Sequence, residues 1–385
     1  MLLIKNGYIK PIVGEDIEGG SVLIGDDGKI LSVGKDITAP EGAEVIDAQG
    51  RLVTPGCVEA HCHVGLSAEF MTGILSAEHN ESVDPITPHL RAEDGFNPAD
   101  KAVSNALTGG VTTLCAGPGS ANVIGGTFAA IKPYGKRVDT MILKAPVAMK
   151  CAFGENPKNA HGKTSKKAPK TRMAVAAMLR EQLRKARAYV AAKDAGAAPN
   201  YDAKLEALEP VIRKEIPMKI HAHRADDIFT AIRIAKECDV KITLDHCTDG
   251  GSIAEELAKE GYPVLVGPSF GKRSKEELYA KSFATPGILH KAGLKVSIIS
   301  DANVTPIQCL PLFAGLAASE GLPMKAAWEG ITINPAEAMG IADRVGSLEP
   351  GKDGDVVIWT ADPLVTIGAE AYVTVVDGKV VYSAE

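Results

Sequence analysis

Pro55-Gly56-Cys57-Val58-Glu59-Ala60-His61-Cys62-His63 begins as an apolar run and ends in two imidazoles two residues apart. On a β-strand, residues i and i+2 share a face. A strand over Val58–His63 therefore sends His61 and His63 into one space and turns Cys62 the other way. Two imidazoles on one face suit a shared metal ion, because histidine is a common metal ligand. Packing or hydrogen bonding accounts for the pair equally well on this stretch alone, so the rest of the chain has to decide.

Upstream lie short apolar runs and turns. Ser21–Val33 reads as a hairpin across Asp27-Gly28, and Glu44–Ala48 as a further strand before the turn at Gln49-Gly50. The far end of the chain has the same texture, in Gly354–Trp359 and in Ala371–Tyr382 with its turn at Asp377-Gly378. Isolated hairpins are marginal, so one small β-sandwich domain built from both ends is expected rather than two separate extensions.

Between these ends, apolar strand runs alternate with amphipathic helical stretches: Val111–Ala116, Pro217–Ile220, Lys241–Asp245, Pro263–Val266 and Lys295–Ser300 against helices such as Thr171–Ala192 and Asp226–Glu237. Residues 125–145 look like a hairpin insertion. The expected class is α/β, a (β/α)8 TIM barrel over 55–343, with the β-sandwich domain contributed by 1–54 and 344–385. A doubly wound sheet is the main alternative, weakened by the lack of a GxGxxG after the first central strand.

In such a barrel, chemistry sits at the C-terminal ends of the strands. Five of the nine histidines fall there: His61, His63, His221, His223 and His246. Glu155 and Asp301 stand at equivalent ends, and the small-residue loop Gly117–Asn122 follows the second strand. Packing does not readily explain several strands delivering imidazole and carboxylate to one rim, whereas a divalent metal site does.

The opening motif, with Gly110-Val111-Thr112-Thr113, His221-Ala222-His223, Asp245-His246, Ser300-Asp301, Thr332–Glu337 and the closing Gly346–Trp359, resembles the amidohydrolase superfamily over nearly the whole chain. The nearest subgroup is imidazolonepropionase-like and prolidase-like. The resemblance implies His61, His63 and Asp301 around one metal, and His221 and His246 around a second. Glu155 is the preferred bridging ligand, because it needs no modification. A carbamylated Lys150 is the second choice, since lysine is usually solvated. Zinc is the expected ion, one or two per chain, with manganese or iron as alternatives. Asp301 is expected to act as general base on a metal-activated water, and His223 to orient the substrate or to support a ligand.

The implied activity is hydrolysis of a C–N bond in an amide or cyclic amide. A deaminase of a ring amidine, or a barrel used only for binding or assembly, are the alternatives; retention of the full ligand set favours an enzyme. Ser120, Asn122 and Arg224 are candidates to contact a small-molecule substrate, and Lys272 and Arg273 offer further positive charge. Ser67–Asn97 and the basic Asn156–Arg172 read as rim loops, the second as a solvated one.

Composition sets the outer bounds. The chain has 385 residues, 45% hydrophobic and 23% charged, with net charge −6, which gives no reason to expect nucleic acid or an anionic membrane as partner. Seven scattered cysteines without CxxC spacing argue against a disulfide framework. No apolar run reaches spanning length, so a cytoplasmic protein is expected, and family habit implies a homo-oligomer.

Overall fold

The computed structural model describes residues 1–68, 78–164 and 166–384. Strands β1 (Leu2–Ile9), β2 (Ile17–Ile24), β3 (Ile30–Gly34), β4 (Glu44–Asp47) and β5 (Leu52–Pro55) open the chain. The barrel wall then comprises β6 (Cys57–Cys62), β7 (Val111–Ala116), β8 (Ile124–Ile131), β9 (Ile142–Ala152), β10 (Met218–Ala222), β11 (Ile242–His246), β12 (Val264–Val266) and β13 (Val296–Ile298). Strands β14 (Val356–Trp359), β15 (Ala371–Val376) and β16 (Lys379–Ser383) close it.

The two ends do share one sheet. Its path runs β16-β15-β14-β5-β1-β2-β3, with β4 pairing β1. The joint is the antiparallel β5–β14 ladder, Pro55 opposite Val356 and Val53 opposite Ile358. Alternation along these strands gathers Ile4, Val22, Ile24, Val53, Val356, Ile358 and Val375 into a separate apolar core. Trp359 ties this sheet to the barrel: its Nε1 donates to Thr54 Oγ1 at 2.9 Å and its ring meets Trp328 edge-on.

The second sheet runs in chain order from β6 to β13. Most neighbours are parallel, and their strands are buried along their length, as a sheet covered by helices requires. The hairpin expected at 125–145 is present and is built into the wall: β8 runs antiparallel to both β7 and β9. The seam between β13 and β6 is closed by bonds other than a strand ladder. Val58 N donates to Ile331 O at 2.8 Å and Ile298 N to Gly330 O at 2.8 Å. The Glu59 carboxylate accepts from His61 N on one side and from Ser300 N on the other, each at 2.8 Å.

Helices cover the wall where the apolar period allows. In Arg172–Asp194, Val175, Leu179, Leu183, Ala186 and Val190 form the buried stripe, and the Thr171 hydroxyl caps the first turn through Ala174 N, a contact typically worth about 1 kcal/mol. Between β12 and the next helix the chain makes only a single 3-10 turn, at Glu276–Leu278. There the side chains are engaged locally: Glu277 takes an ion pair from Arg172 at 2.6 Å, and Lys281 Nζ donates to Phe270 O. The basic segment expected to be a solvated loop also differs, folding as a helical turn at Glu155–Pro157 and a π-helical stretch at Lys158–Thr164, anchored by buried His161 on Asn122. Of the first expected rim loop, residues 69–77 lie outside the described residues.

Candidate active site

Strand alternation builds the site. Glu59, His61 and His63 point inward from β6 and the turn beyond it, Lys150 from β9, Lys219 and His221 from β10, and Asp245 and His246 are the last two residues of β11. His246 and Asp301 both have left-handed backbone, at φ 75° and 52°. Non-glycine residues rarely adopt that conformation, and it aims each side chain off the end of its strand into the barrel mouth.

Three imidazoles are held in one tautomer. His61 Nδ1 donates to Asp245 Oδ2 at 2.6 Å, His63 Nδ1 to Gly117 O at 2.7 Å and His246 Nδ1 to Gly267 O at 2.7 Å. Each bond leaves Nε2 as the lone-pair nitrogen, the arrangement typical of metal-ligating histidine. His63 Nε2 lies 3.2 Å and His61 Nε2 3.7 Å from Asp301 Oδ1. Ligand atoms of His61, His63 and Asp301 all fall within 4.8 Å of one another. His246 Nε2 and Asp301 Oδ1 are buried with no hydrogen-bond partner among the described residues. Lone pairs that face one another across so short a gap call for a cation between them, so these residues fit a divalent metal.

The electrostatics agree. Burial, together with the nearby charges of Lys150 and Lys219, holds His61 well below the ordinary imidazole value. Burial does the same for His221 and His223, and brings His246 down to about 4. Neutral imidazole is the ligand form. Burial alone would raise Asp301, yet His63 beside it and the surrounding His246 and His61 hold it well below the carboxylate range. A second layer lies beneath. Asp245 pairs with Lys219 Nζ at 2.8 Å and accepts from Thr243 Oγ1 at 2.7 Å. The Phe128 ring sits beneath both Lys150 and Lys219, 5.6 and 5.3 Å from their nitrogens, and meets His61 edge-on.

Above these groups opens a cleft of about 670 Å³, lined among others by His63, His79, Ser120, His221, His223 and Asp301. The sequence profile of the Amidohydrolase family matches residues 52–381. The chain belongs to that family. Its members are hydrolases acting on C–N bonds. An amidohydrolase of Hapsidospora irregularis, tasK, is 30% identical over 391 residues, covering 93% of this chain but 39% of that protein. The chain thus spans about two fifths of that relative's length. An imidazolonepropionase of Acidiphilium cryptum (strain JF-5) is 28% identical over 397 residues, 90% of this chain and 88% of its own. The crystal structure of an amidohydrolase from Thermotoga maritima MSB8 superposes with TM-score 0.95 and 39% identity over the full length of both chains.

Against this family background, the residues singled out from sequence separate into two groups. His61, His63, His221, His223, His246 and Asp301 converge: the His221 ring lies 4.6 Å from His223 and 4.4 Å from His246, and His61 lies 5.0 Å from His246. Ser120 joins them, its Oγ 2.8 Å from His221 Nδ1.

Glu155 does not reach them. Gly154, at φ 79°, turns the chain out of β9, and the Glu155 backbone N–H and carboxylate both engage Glu277. Lys150 stands beside the histidines instead, fully buried, with Nζ donating to His61 Nε2 at 2.9 Å. Asn122 is a strut, donating to Thr87 Oγ1 and accepting from His161, and it does not line the cleft. Arg224 is outside as well, paired with Asp226 at 2.9 Å at the start of the next helix. Arg273 spends its guanidinium on the carbonyls of Tyr279 and Lys281. Lys272 does line the cleft, and so do Asn80, Asn156, Lys275 and Lys281, which sequence reasoning did not single out.

Proposed function

We propose that this protein is a metal-dependent hydrolase of an amide or cyclic amide, with the chemistry in the barrel (55–343) and the sheet of 1–54 and 344–385 as its support. The observation that carries the reading is the tautomer set: His61, His63 and His246 each spend Nδ1 on a fixed acceptor and turn Nε2 toward Asp301 or the space beside it. In this reading His61, His63 and Asp301 hold one ion, and His221 and His246 a second. Zinc suits the donor set, and manganese or iron are accepted by similar ligands. When bound, such an ion lowers the pKa of water and polarises a carbonyl.

Lys150, beside His61, rather than Glu155, would complete the donor set for the ions. An ammonium cannot bind a cation, but an amine that attacks carbon dioxide and loses a proton becomes a carbamate with two ligand oxygens. Burial lowers the Lys150 amine to about 8, which makes its neutral form accessible. Asp301, ionised and at the cleft surface, takes the proton of the attacking water and returns it to the leaving nitrogen. His223 is kept in place by Thr248 Oγ1 at 2.8 Å and orients the substrate carbonyl.

Deamination of a ring amidine uses the same groups, and one relative with a shorter match, 31% identical over 121 residues, is a 5-methylthioadenosine/S-adenosylhomocysteine deaminase. The test is elemental analysis of protein purified without added metal or chelator, followed by assay of N-acyl amino acids, cyclic amides and ring amidines. About two ions per chain with amide cleavage supports the proposal. A chain that stays empty after incubation with zinc, manganese and iron, and inert to every probe, favours a binding or assembly role.

A further inference from the structure

The cleft is markedly basic on one side. The segment between β12 and the helix Ala284–Lys291 brings Lys272, Lys275 and Lys281 to its lining, where Asp301 is the one acidic residue among the described residues. Lys275 is the best placed. Its Nζ donates to Asn156 Oδ1 at 2.8 Å, and the nearest carboxylate oxygen, on Glu277, is 3.7 Å away. Glu277 is itself held by Arg172 at 2.6 Å and by the Glu155 N–H. An ammonium has three donors, so Lys275 retains N–H groups for a ligand. Burial holds the ammonium of both Lys275 and Lys281 below the ordinary lysine value. A cation short of water gains more from an arriving anion than one in bulk solvent.

Asn156 sets the spacing. Its Nδ2 is 3.3 Å from His221 Nε2, so a single carboxamide separates Lys275 from the histidine cluster. A negative group at Lys275 then sits only a few bonds from a carbonyl placed beside His221 and Asp301.

We propose that the substrate is a carboxylate-bearing amide, such as an N-acyl amino acid or a cyclic amide with an acidic substituent, whose carboxylate is held by Lys275 with Lys272 and Lys281 adding positive charge. This rests on the hydrolase reading above and narrows it to a substrate class.

The test uses metal-replete protein and matched probes: N-acetyl-L-proline, N-acetyl-L-alanine and 5-oxo-L-proline, each as the acid and as its carboxamide. Binding is measured by calorimetry and bond cleavage by product analysis. At least one acid should bind about tenfold or more tighter than its carboxamide, and the margin should vanish in Lys275→Met and Lys275→Gln. The glutamine variant keeps an N–H for Asn156, so loss in both follows the charge rather than a displaced segment. Equal binding of acid and carboxamide, no binding of any acid, or a margin that survives in both variants overturns the inference. Carboxamides cleaved as readily as acids do so while leaving the hydrolase reading intact. Acids bound through Lys275 with no C–N bond broken in any probe overturn the hydrolase reading and leave the anion site standing.

Discussion

Lys150 Nζ donates to His61 Nε2 at 2.9 Å inside the barrel, and neither side chain is exposed to solvent. Among the described residues the imidazole is the one hydrogen-bond partner of this buried lysine, an expensive arrangement, and carbamate formation would remove the positive charge. Protein equilibrated with carbon-13 bicarbonate and metal should therefore show a carbamate resonance, and Lys150→Met should lack it. A spectrum without that resonance in metal-loaded protein returns Lys150 to a purely structural role.

The same amine makes stability depend on pH in metal-stripped protein. Its folded value, lowered by burial, is about 8, and an unfolded lysine titrates near 10.4. Below the folded value both states carry the proton. Between about 8 and 10.4 the unfolded chain holds more protons than the folded one, so stability rises with pH. Urea unfolding of wild type relative to Lys150→Met should shift in favour of wild type across that window. A difference that stays flat from pH 7 to 10.5 rules this account out.

Asp301→Asn removes the base while keeping the shape. Turnover should fall by about 100- to 10,000-fold with the circular dichroism spectrum unchanged. Steady-state kinetics on any cleaved amide tests this, and unaltered kcat with retained metal removes Asp301 from proton transfer.

Lys219 acts through Asp245. Lys219→Met leaves a buried carboxylate short of its cation, a loss of about 3–5 kcal/mol where such a pair is broken. Because Asp245 fixes the His61 tautomer, metal affinity should also drop, about 10- to 100-fold. Denaturation and competitive chelator titration measure the two effects separately. A variant that is less stable but binds metal as tightly as wild type would falsify the link to His61.

Gly117 offers a purely steric test. A Cβ there would lie 2.1 Å from the Phe128 ring, and the Gly117 carbonyl orients His63. Gly117→Ala should cost about 1–3 kcal/mol through overpacking, measured by urea unfolding, and should weaken metal binding as well. Full stability in this variant would mean that Phe128 moves freely.

Much of this architecture is legible from residue order. Apolar strand runs alternating with helical stretches, and strand-end histidines, locate the barrel and its mouth, and the turn-rich ends announce a shared sheet. The errors are physical in origin. Lys150 looks like a solvated lysine until β9 is known to alternate it with the apolar core positions Met149 and Cys151. Lys219 carries the same signal, two residues before His221. Glu155 depends on the torsion of one glycine, and Arg224 on an aspartate two residues away. The basic wall of Lys272, Lys275 and Lys281 comes from an irregular segment with no period, so no pattern in the chain shows where those side chains point.

The β5–β14 ladder has a consequence for biosynthesis. Strand β5 leaves the ribosome before the barrel, but its antiparallel neighbour is made only after the whole barrel. Through most of translation the opening sheet therefore presents an unfilled edge, the kind of surface that invites pairing between nascent chains. The barrel, whose neighbouring strands follow chain order, can assemble as it emerges. The terminal sheet is completed last, so a messenger truncated before residue 356 would yield a chain that carries every candidate ligand and still has an open, association-prone edge.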